Sequence, residues 1–307
     1  MKIPMPAAVM LGVMSMSLSG PAAVAADADA PLRPEILRPM AEHGDAWAQL
    51  KLGGLYERGE SVPKDNEQAA GWYAKAAAQG NAEARGMLLF VCAISTVGPA
   101  QPKACVEMGP LLQTAAAQGD VEAENLLARL YEAGLFGVAR DPGKALAWYR
   151  KAAEQGDLSA ETALADHYEG GFDAPQDDVQ AAFWNRKAAE QGDMLAQYSL
   201  ARDYETGRGV TADEAQAVAW YLKAAGQGDR DAQRKVGTAY ALGKGAPRDD
   251  VQAYVWLQIA LSSVRVDDEG RDTQALALKS VAARLKPGAL AQARRMAAAW
   301  KPKLTAP

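Results

Sequence analysis

Residues able to carry covalent, metal or acid–base chemistry are sparse in this chain of 307 residues. There are two cysteines, Cys92 and Cys105, and two histidines, His43 and His167. The histidines lie far apart, one at a turn and one inside a helix-patterned segment, with no Asp/Cys neighbourhood at metal-ligand spacing. No Gly-x-Ser-x-Gly elbow and no candidate Cys/His pair is present, so nucleophilic catalysis has no visible machinery. Gly170-Gly171 and Gly207-x-Gly209 stand in loops, not at strand-to-helix junctions where a phosphate would be cradled. These residues therefore assign no catalytic group, no metal ligand and no cofactor. The two cysteines close a loop of about a dozen residues, and in an oxidising compartment a bridge there contributes about 3 kcal/mol in the chain-entropy description. The alternative is a pair of buried thiols.

Recognition chemistry is better represented than catalysis, and it comes with a period. A glycine followed by Asp or Asn recurs at Gly44, Gly80, Gly119, Gly156, Gly192 and Gly228, at intervals of 36, 39, 37, 36 and 36 residues. Trp72, Trp148, Trp184, Trp220 and Trp256 keep one register, and Tyr56, Tyr131, Tyr168, Tyr204 and Tyr240 keep another. That period is the mark of a repeat architecture.

Each unit reads as two helices. Ala48, Leu52, Gly53 and Tyr56 fall on one helical face, as do Ala196, Leu200, Ala201 and Tyr204, and Ala232, Val236, Gly237 and Tyr240. A glycine stops the first helix at Gly59, Gly134, Gly170, Gly207 and Gly243. Asp65, Asp141, Asp177, Asp213 and Asp249 then open the second helix, where a carboxylate accepts from unpaired N–H groups and suits the dipole. Ala69, Trp72 and Ala76 form the stripe of that helix, which closes on Lys-Ala-Ala and a Gln-Gly turn. Neither helix buries its stripe alone, so stacked neighbours must form one continuous core. In this register the Trp and Tyr residues are core, the recurring Asp residues are caps, and the closing Lys residues are a solvated face.

The pattern Ala48-x3-Leu52-Gly53-x2-Tyr56, Gly59, Val62-Pro63, Asp65, Ala69-x2-Trp72-Tyr73-x-Lys75-Ala76-Ala77-x-Gln79-Gly80 resembles the Sel-like repeat, a relative of the tetratricopeptide repeat. The resemblance covers roughly Pro39 to Ser263. It implies an all-α, right-handed solenoid of about six helix-turn-helix repeats with a concave face, and members commonly act as adaptors in assembling complexes. The organisation expected is a signal peptide over 1–26, a half-repeat over 27–43, and repeats over 44–79, 80–118, 119–155, 156–191, 192–227 and 228–263. Capping helices follow over 264–307, read as Asp268 to Arg284 and Gly288 to Lys301. The second unit departs from the pattern. Cys92 takes the tyrosine position, Cys105 sits where the second helix should start, and Leu111 replaces the tryptophan. A bridge between the cysteines is expected to tie one helix end to the start of its partner, across a longer loop over Thr96 to Pro102.

Lys2, the apolar run Ala7 to Leu18 and the small-residue site Ala23-Val24-Ala25 fit a secretory signal. The run is too broken for an anchor of roughly 20 apolar residues, so a periplasmic or secreted chain without stable membrane insertion is expected. The formal charge of −5 and the lack of a basic stripe argue against a nucleic-acid partner. The expected partner is another protein, held across roughly 1,600 Å² of first-helix positions that vary between units. These positions are Leu50, Lys51, Gly54 and Leu55; Asn125 and Arg129; Thr162, Asp166 and His167; Tyr198, Ser199, Arg202 and Asp203; and Arg234, Lys235 and Thr238. Lys51, Arg129, Asp166, His167, Tyr198, Arg202, Asp203, Arg234 and Lys235 are the candidate contacts, mixing the residue types of binding hot spots. A glycan-binding envelope scaffold is the alternative. A cell-wall or β-lactam hydrolase ranks last, because relatives with such activity carry a cysteine pair in nearly every unit and this chain has one.

Overall fold

Aspartates set the start of nearly every helix. After five of the six repeat glycines, Asp45, Asp120, Asp157, Asp193 and Asp229 accept a hydrogen bond from the backbone N–H three residues on, at 2.6–2.9 Å, and Asn81 does so after Gly80 at 2.8 Å. Asp65, Asp141, Asp177, Asp213 and Asp249 do the same for the second helices, each at 3.0 Å. Such a cap satisfies a donor that the helix leaves orphaned and contributes about 1 kcal/mol. The backbone N–H of the second aspartate also donates to the carbonyl of the recurring tyrosine, at Tyr56, Tyr131, Tyr168, Tyr204 and Tyr240, over 2.8–3.0 Å. This clip fixes the loop between the two helices and explains why tyrosine and aspartate keep a common register.

The structure, a computed structural model, describes residues 33–95, 102–171, 175–262 and 271–302. The expected signal segment, most of the Thr96 to Pro102 loop, Asp268 and Lys303 lie outside the described residues. Among the described residues there are fifteen α-helices and no strand. The chain divides into two compact units, Met1–Ala123 with Ala133–Arg140, and Glu124–Glu132 with Asp141–Pro307.

The first unit holds α1 (Pro34–Glu42), α2 (Ala46–Arg58), α3 (Asn66–Ala78), α4 (Ala82–Ser95) and α5 (Met108–Ala117). Leu52, Leu55, Tyr56, Trp72 and Tyr73 form its buried interior. A Cβ on Gly53 would stand 2.7 Å from the Tyr73 ring, so only glycine lets α2 and α3 approach this closely. Cys92 at the end of α4 is joined to Cys105 by a disulfide, with both residues fully buried. Cys105 was expected to open the second helix of this unit. It lies instead in a short 3-10 segment, Lys103–Glu107, and α5 starts only at Met108. Pro102 and the tether at Cys105 hold the chain off an α-helical start, and Pro110 is tolerated because it falls in the first turn of α5.

The second unit holds most of α6 (Val121–Ala133), then α7 (Pro142–Glu154), α8 (Leu158–Gly170), α9 (Asp178–Glu190) and α10 (Met194–Thr206). It continues through α11 (Glu214–Gln227), α12 (Arg230–Leu242), α13 (Asp250–Ser262), α14 (Arg271–Arg284) and α15 (Pro287–Ala299). Successive helices pack in pairs from α7 to α13, and both α14 and α15 lie against α13. The expected glycine stop at Gly170 is corrected: Gly170 ends α8, and the left-handed residue is Gly171 at φ 64°. Counted from the repeat glycine, Gly171 matches Gly59, Gly207 and Gly243, which are also left-handed. The closing lysines do more than face solvent. The ammonium groups of Lys75, Lys151 and Lys223 sit 3.9, 4.0 and 3.4 Å from the ring centroids of Trp72, Trp148 and Trp220, a cation–π contact one turn along the helix.

Candidate functional site

The face of the second unit built by α10, α11 and α12 carries an open concavity. Its floor is Ala217, Val218 and Tyr221 of α11 and Ala239 of α12. Its rim is Glu205, Glu214, Arg234, Lys235, Thr238, Leu242 and Lys244. The concavity has a sequence cause. At the position of Ala239, earlier repeats place Leu55, Val91 and Leu130, all buried. Truncation to alanine removes a side chain that elsewhere fills this space. Leu242 at the end of α12 stays 69% exposed beside it.

Polar groups of the concavity are fixed by mutual pairing. The Tyr221 hydroxyl donates to Glu205 at 2.7 Å, and the Lys235 ammonium reaches both Glu205 oxygens at 2.8 and 2.7 Å. Burial alone would raise the Glu205 carboxyl. The lysine and the phenol outweigh that and hold it below the usual carboxylate range. Burial, then the bond to Glu205, pushes the Tyr221 phenol up. At the rim, Lys244 pairs with Glu214 at 2.8 Å, and Arg234 lies 3.7 Å from Asp231 of its own helix. The Tyr198 ring lies 5.4 Å from that of Tyr221, extending the aromatic surface. The arrangement offers an apolar floor with a rim of both signs, which suits recognition by shape and charge.

Of the candidate contacts, the structure gathers Tyr198, Arg202, Arg234 and Lys235 around α10 and α12. Arg202 is committed to an ion pair with Glu169, which also takes Arg208 at 2.9 Å. Arg129 and Asp166 lie on α6 and α8, Asp166 exposed and Arg129 half-buried, and Lys51 is half-buried on α2 in the first unit. Two candidates are corrected. His167 and Asp203 are core residues, 7% and 3% exposed. They hold the repeat position of Leu55, Val91, Leu130 and Ala239, which points inward, so their variation reflects a polar exchange in the core. Leu50, Leu55 and Asn125 are likewise buried.

His167 Nε2 faces Glu132 at 3.5 Å, beside the Tyr149 ring. The pairing with His167 holds the Glu132 carboxyl below its ordinary range. Asp203 has an Oδ2 without a partner and meets Asn185, whose Nδ2 is also unpaired. Burial, reinforced by the nearby Glu169, pushes the Asp203 carboxyl up to about 6.

The pattern reading missed the seam carboxylates. Tyr73, Tyr149 and Tyr221 each donate to a glutamate of the preceding helix, Glu57, Glu132 and Glu205, at 2.5, 2.6 and 2.7 Å. A partial signal existed: this tyrosine and glutamate occur together in three units and are both replaced, by Leu257 and Ala241, in the last, while the fourth keeps Glu169 opposite Asn185. Among the described residues no group of three or more His, Cys, Asp or Glu could hold a metal ion.

Capped helix pairs and a shared loop clip define an all-helical repeat protein of the solenoid class. The Sel1 repeat pattern matches residues 48–81, 121–157, 158–193, 195–229 and 230–263, more than half the chain. The chain belongs to the Sel1 repeat family, a scaffold fold typical of protein–protein interaction. The disulfide-bearing segment from 82 to 120 is not matched, in keeping with its lost tyrosine and tryptophan. The chain is similar to a protective antigen present in uropathogenic Escherichia coli strains that displays an SLR fold. That likeness has 32% identity and a TM-score of 0.58, over 86% of this chain and 54% of the antigen, so this chain spans about half the antigen's length. It is also similar to a Sel1 repeat protein from Oxalobacter formigenes, at 30% identity and a TM-score of 0.48, over 80% of each chain. No curated protein matches.

Proposed function

We propose that the protein is an exported adaptor that holds a segment of a partner protein against the face made by α10, α11 and α12. One observation carries this reading: the concavity opened by Ala239, with the candidate contacts Arg234 and Lys235 on its rim and Tyr198 and Arg202 on the adjoining helix. An apolar floor edged by paired charges buries a partner side chain without stranding a charge, the usual composition of a hot spot. Export is supported by the Ala7 to Leu18 run with Ala23-Val24-Ala25 in the sequence, and by the Cys92–Cys105 disulfide, since such bonds persist in oxidising compartments. An envelope assembly, a membrane sensor or a secreted target all fit such a partner.

The test is a cross-linking pulldown from native envelope with the tagged mature chain. Two variants run beside it: Tyr198→Ala/Arg202→Ala/Arg234→Ala, and Ala239→Leu, which refills the concavity as Leu55 and Leu130 do elsewhere. A protein captured by the wild type and lost with both variants, at unchanged helicity, supports the adaptor. Equal capture by all three removes this face from the account. Enrichment of wall glycan with no protein would favour the glycan scaffold instead.

A further inference from the structure

The C-terminal helices carry a charge pattern unlike the rest of the molecule. Between Thr273 and Pro302 stand Lys279, Arg284, Lys286, Arg294, Arg295 and Lys301, without one Asp or Glu, in a chain of net charge −5. Everything before this stretch is therefore more acidic than the whole. Arg284 is neutralised by Asp250 of α13 at 2.6 Å, and Arg294 donates to the Tyr254 hydroxyl at 3.4 Å. The remaining four, Lys279, Lys286, Arg295 and Lys301, are exposed and form no ion pair among the described residues.

What lies between these cations is apolar and small. Leu276 on α14 is 67% exposed, Met296 on α15 is exposed, and Ala275, Ala277, Ala283, Ala291, Ala298 and Ala299 are exposed around them. Both helices rest on α13 and leave these residues outward. Trp300 is half-buried at the end of α15, against Trp256. Cations interleaved with exposed aliphatic residues, and an indole at the margin, suit contact with a lipid interface in which the cations supply most of the attraction. The exposed aliphatic side chains among the cations favour lipid over nucleic acid, whose phosphates would engage the cations alone.

We propose that α14 and α15 form a peripheral docking surface for anionic phospholipid, which tethers the scaffold to a bilayer while the α10–α12 face stays available to its partner. Phosphate headgroups pair with Lys279, Lys286, Arg295 and Lys301, while Leu276 and Met296 enter the acyl boundary. Because the rest of the chain is net acidic, an anionic membrane disfavours other approaches, so the same charge that binds also orients. The surface holds the protein at the membrane without crossing it; no described helix is long and apolar enough to span a bilayer.

Each cation close to an anionic leaflet strengthens partitioning about fivefold, and the effect fades within a Debye length as salt rises. The test is co-sedimentation of the full mature chain with phosphatidylcholine vesicles, alone or containing one-third phosphatidylglycerol. Expected is binding to the mixed vesicles only, its reversal by high salt, and a loss of more than about 100-fold in Lys279→Glu/Lys286→Glu/Arg295→Glu/Lys301→Glu. The milder Lys279→Gln/Lys286→Gln/Arg295→Gln/Lys301→Gln should weaken binding less, and Leu276→Asp should weaken it with every cation kept. Helicity is checked for each variant by circular dichroism. Equal sedimentation with phosphatidylcholine alone, or full binding by the folded glutamine variant, overturns the proposal. So does capture of an acidic protein by this surface with no vesicle binding.

Discussion

Reducing the Cys92–Cys105 bridge should cost the first unit a calculable amount of stability. The two cysteines are 13 residues apart in sequence and their Cα atoms are 5.7 Å apart. Closing a loop of that length removes about 10 cal/mol/K of chain entropy from the unfolded state, which is about 3 kcal/mol at room temperature. Reduction leaves both sulfurs in place and both are fully buried, so no cavity term adds to the loop term. Urea denaturation followed by tryptophan fluorescence, oxidised against protein kept reduced by excess reductant, reads the difference. With a urea slope of about 1–3 kcal/mol/M, the midpoint of the first unit should fall by about 1–3 M. The pair Cys92→Ala/Cys105→Ala should fall further, because each lost sulfur leaves space in a packed interior. The bridge matters here because the second repeat lacks the tyrosine and tryptophan of its neighbours, with Cys92 and Leu111 in their places. A midpoint unmoved by reduction would show that the segment over α4 and α5 is held by packing alone, and would refute the compensation argument.

Two further outcomes follow from the seams. Asp203 has a carboxyl raised to about 6 from an ordinary 3.8, so the folded state holds a proton that the unfolded state has already lost. Stability from this group is therefore greatest below about pH 4, declines by about 3 kcal/mol as pH rises through 6, and levels off near pH 7. Asp203→Leu should raise the midpoint at pH 7.5 and flatten the slope between pH 4 and 6 relative to wild type. An identical slope in variant and wild type would place the titration elsewhere. Tyr221→Phe should cost about 1 kcal/mol by removing one hydrogen bond from the half-buried Glu205, and less in a Glu205→Gln background. Equal cost in both backgrounds, in a double-mutant cycle, would deny the coupling.

Much of this architecture is legible without coordinates, because each landmark has a local cause repeated in nearly every unit. Glycine followed by aspartate writes a left-handed stop and a cap at once. The Tyr56-to-Asp65 spacing, kept in four later units with one added residue in the third, reflects a single backbone clip. Where the pattern failed, the determinant was a contact between units or the size of one side chain. Variation at Asp203 and His167 looked like surface freedom, yet both point inward and exchange an apolar core residue for a polar pair. The concavity is set by Ala239, a residue that attracts no notice until its counterparts Leu55 and Leu130 are seen to be buried. Glu205 could not be separated from other helical glutamates until Tyr221 and Lys235 were found on it. Gly170 and Gly171 are adjacent glycines, and only counting from Gly156 selects the second as the stop.

The central claim, that a partner protein docks on α10–α12, is tested most directly by placing a photo-cross-linking residue at Leu242, exposed at the edge of the concavity. The same residue at Phe90, exposed on α4 of the first unit, serves as the reference. The account predicts a protein adduct from position 242 that disappears when Ala239→Leu is added, and none from position 90. An adduct from position 90 alone, or one at 242 that survives the filled concavity, would contradict it.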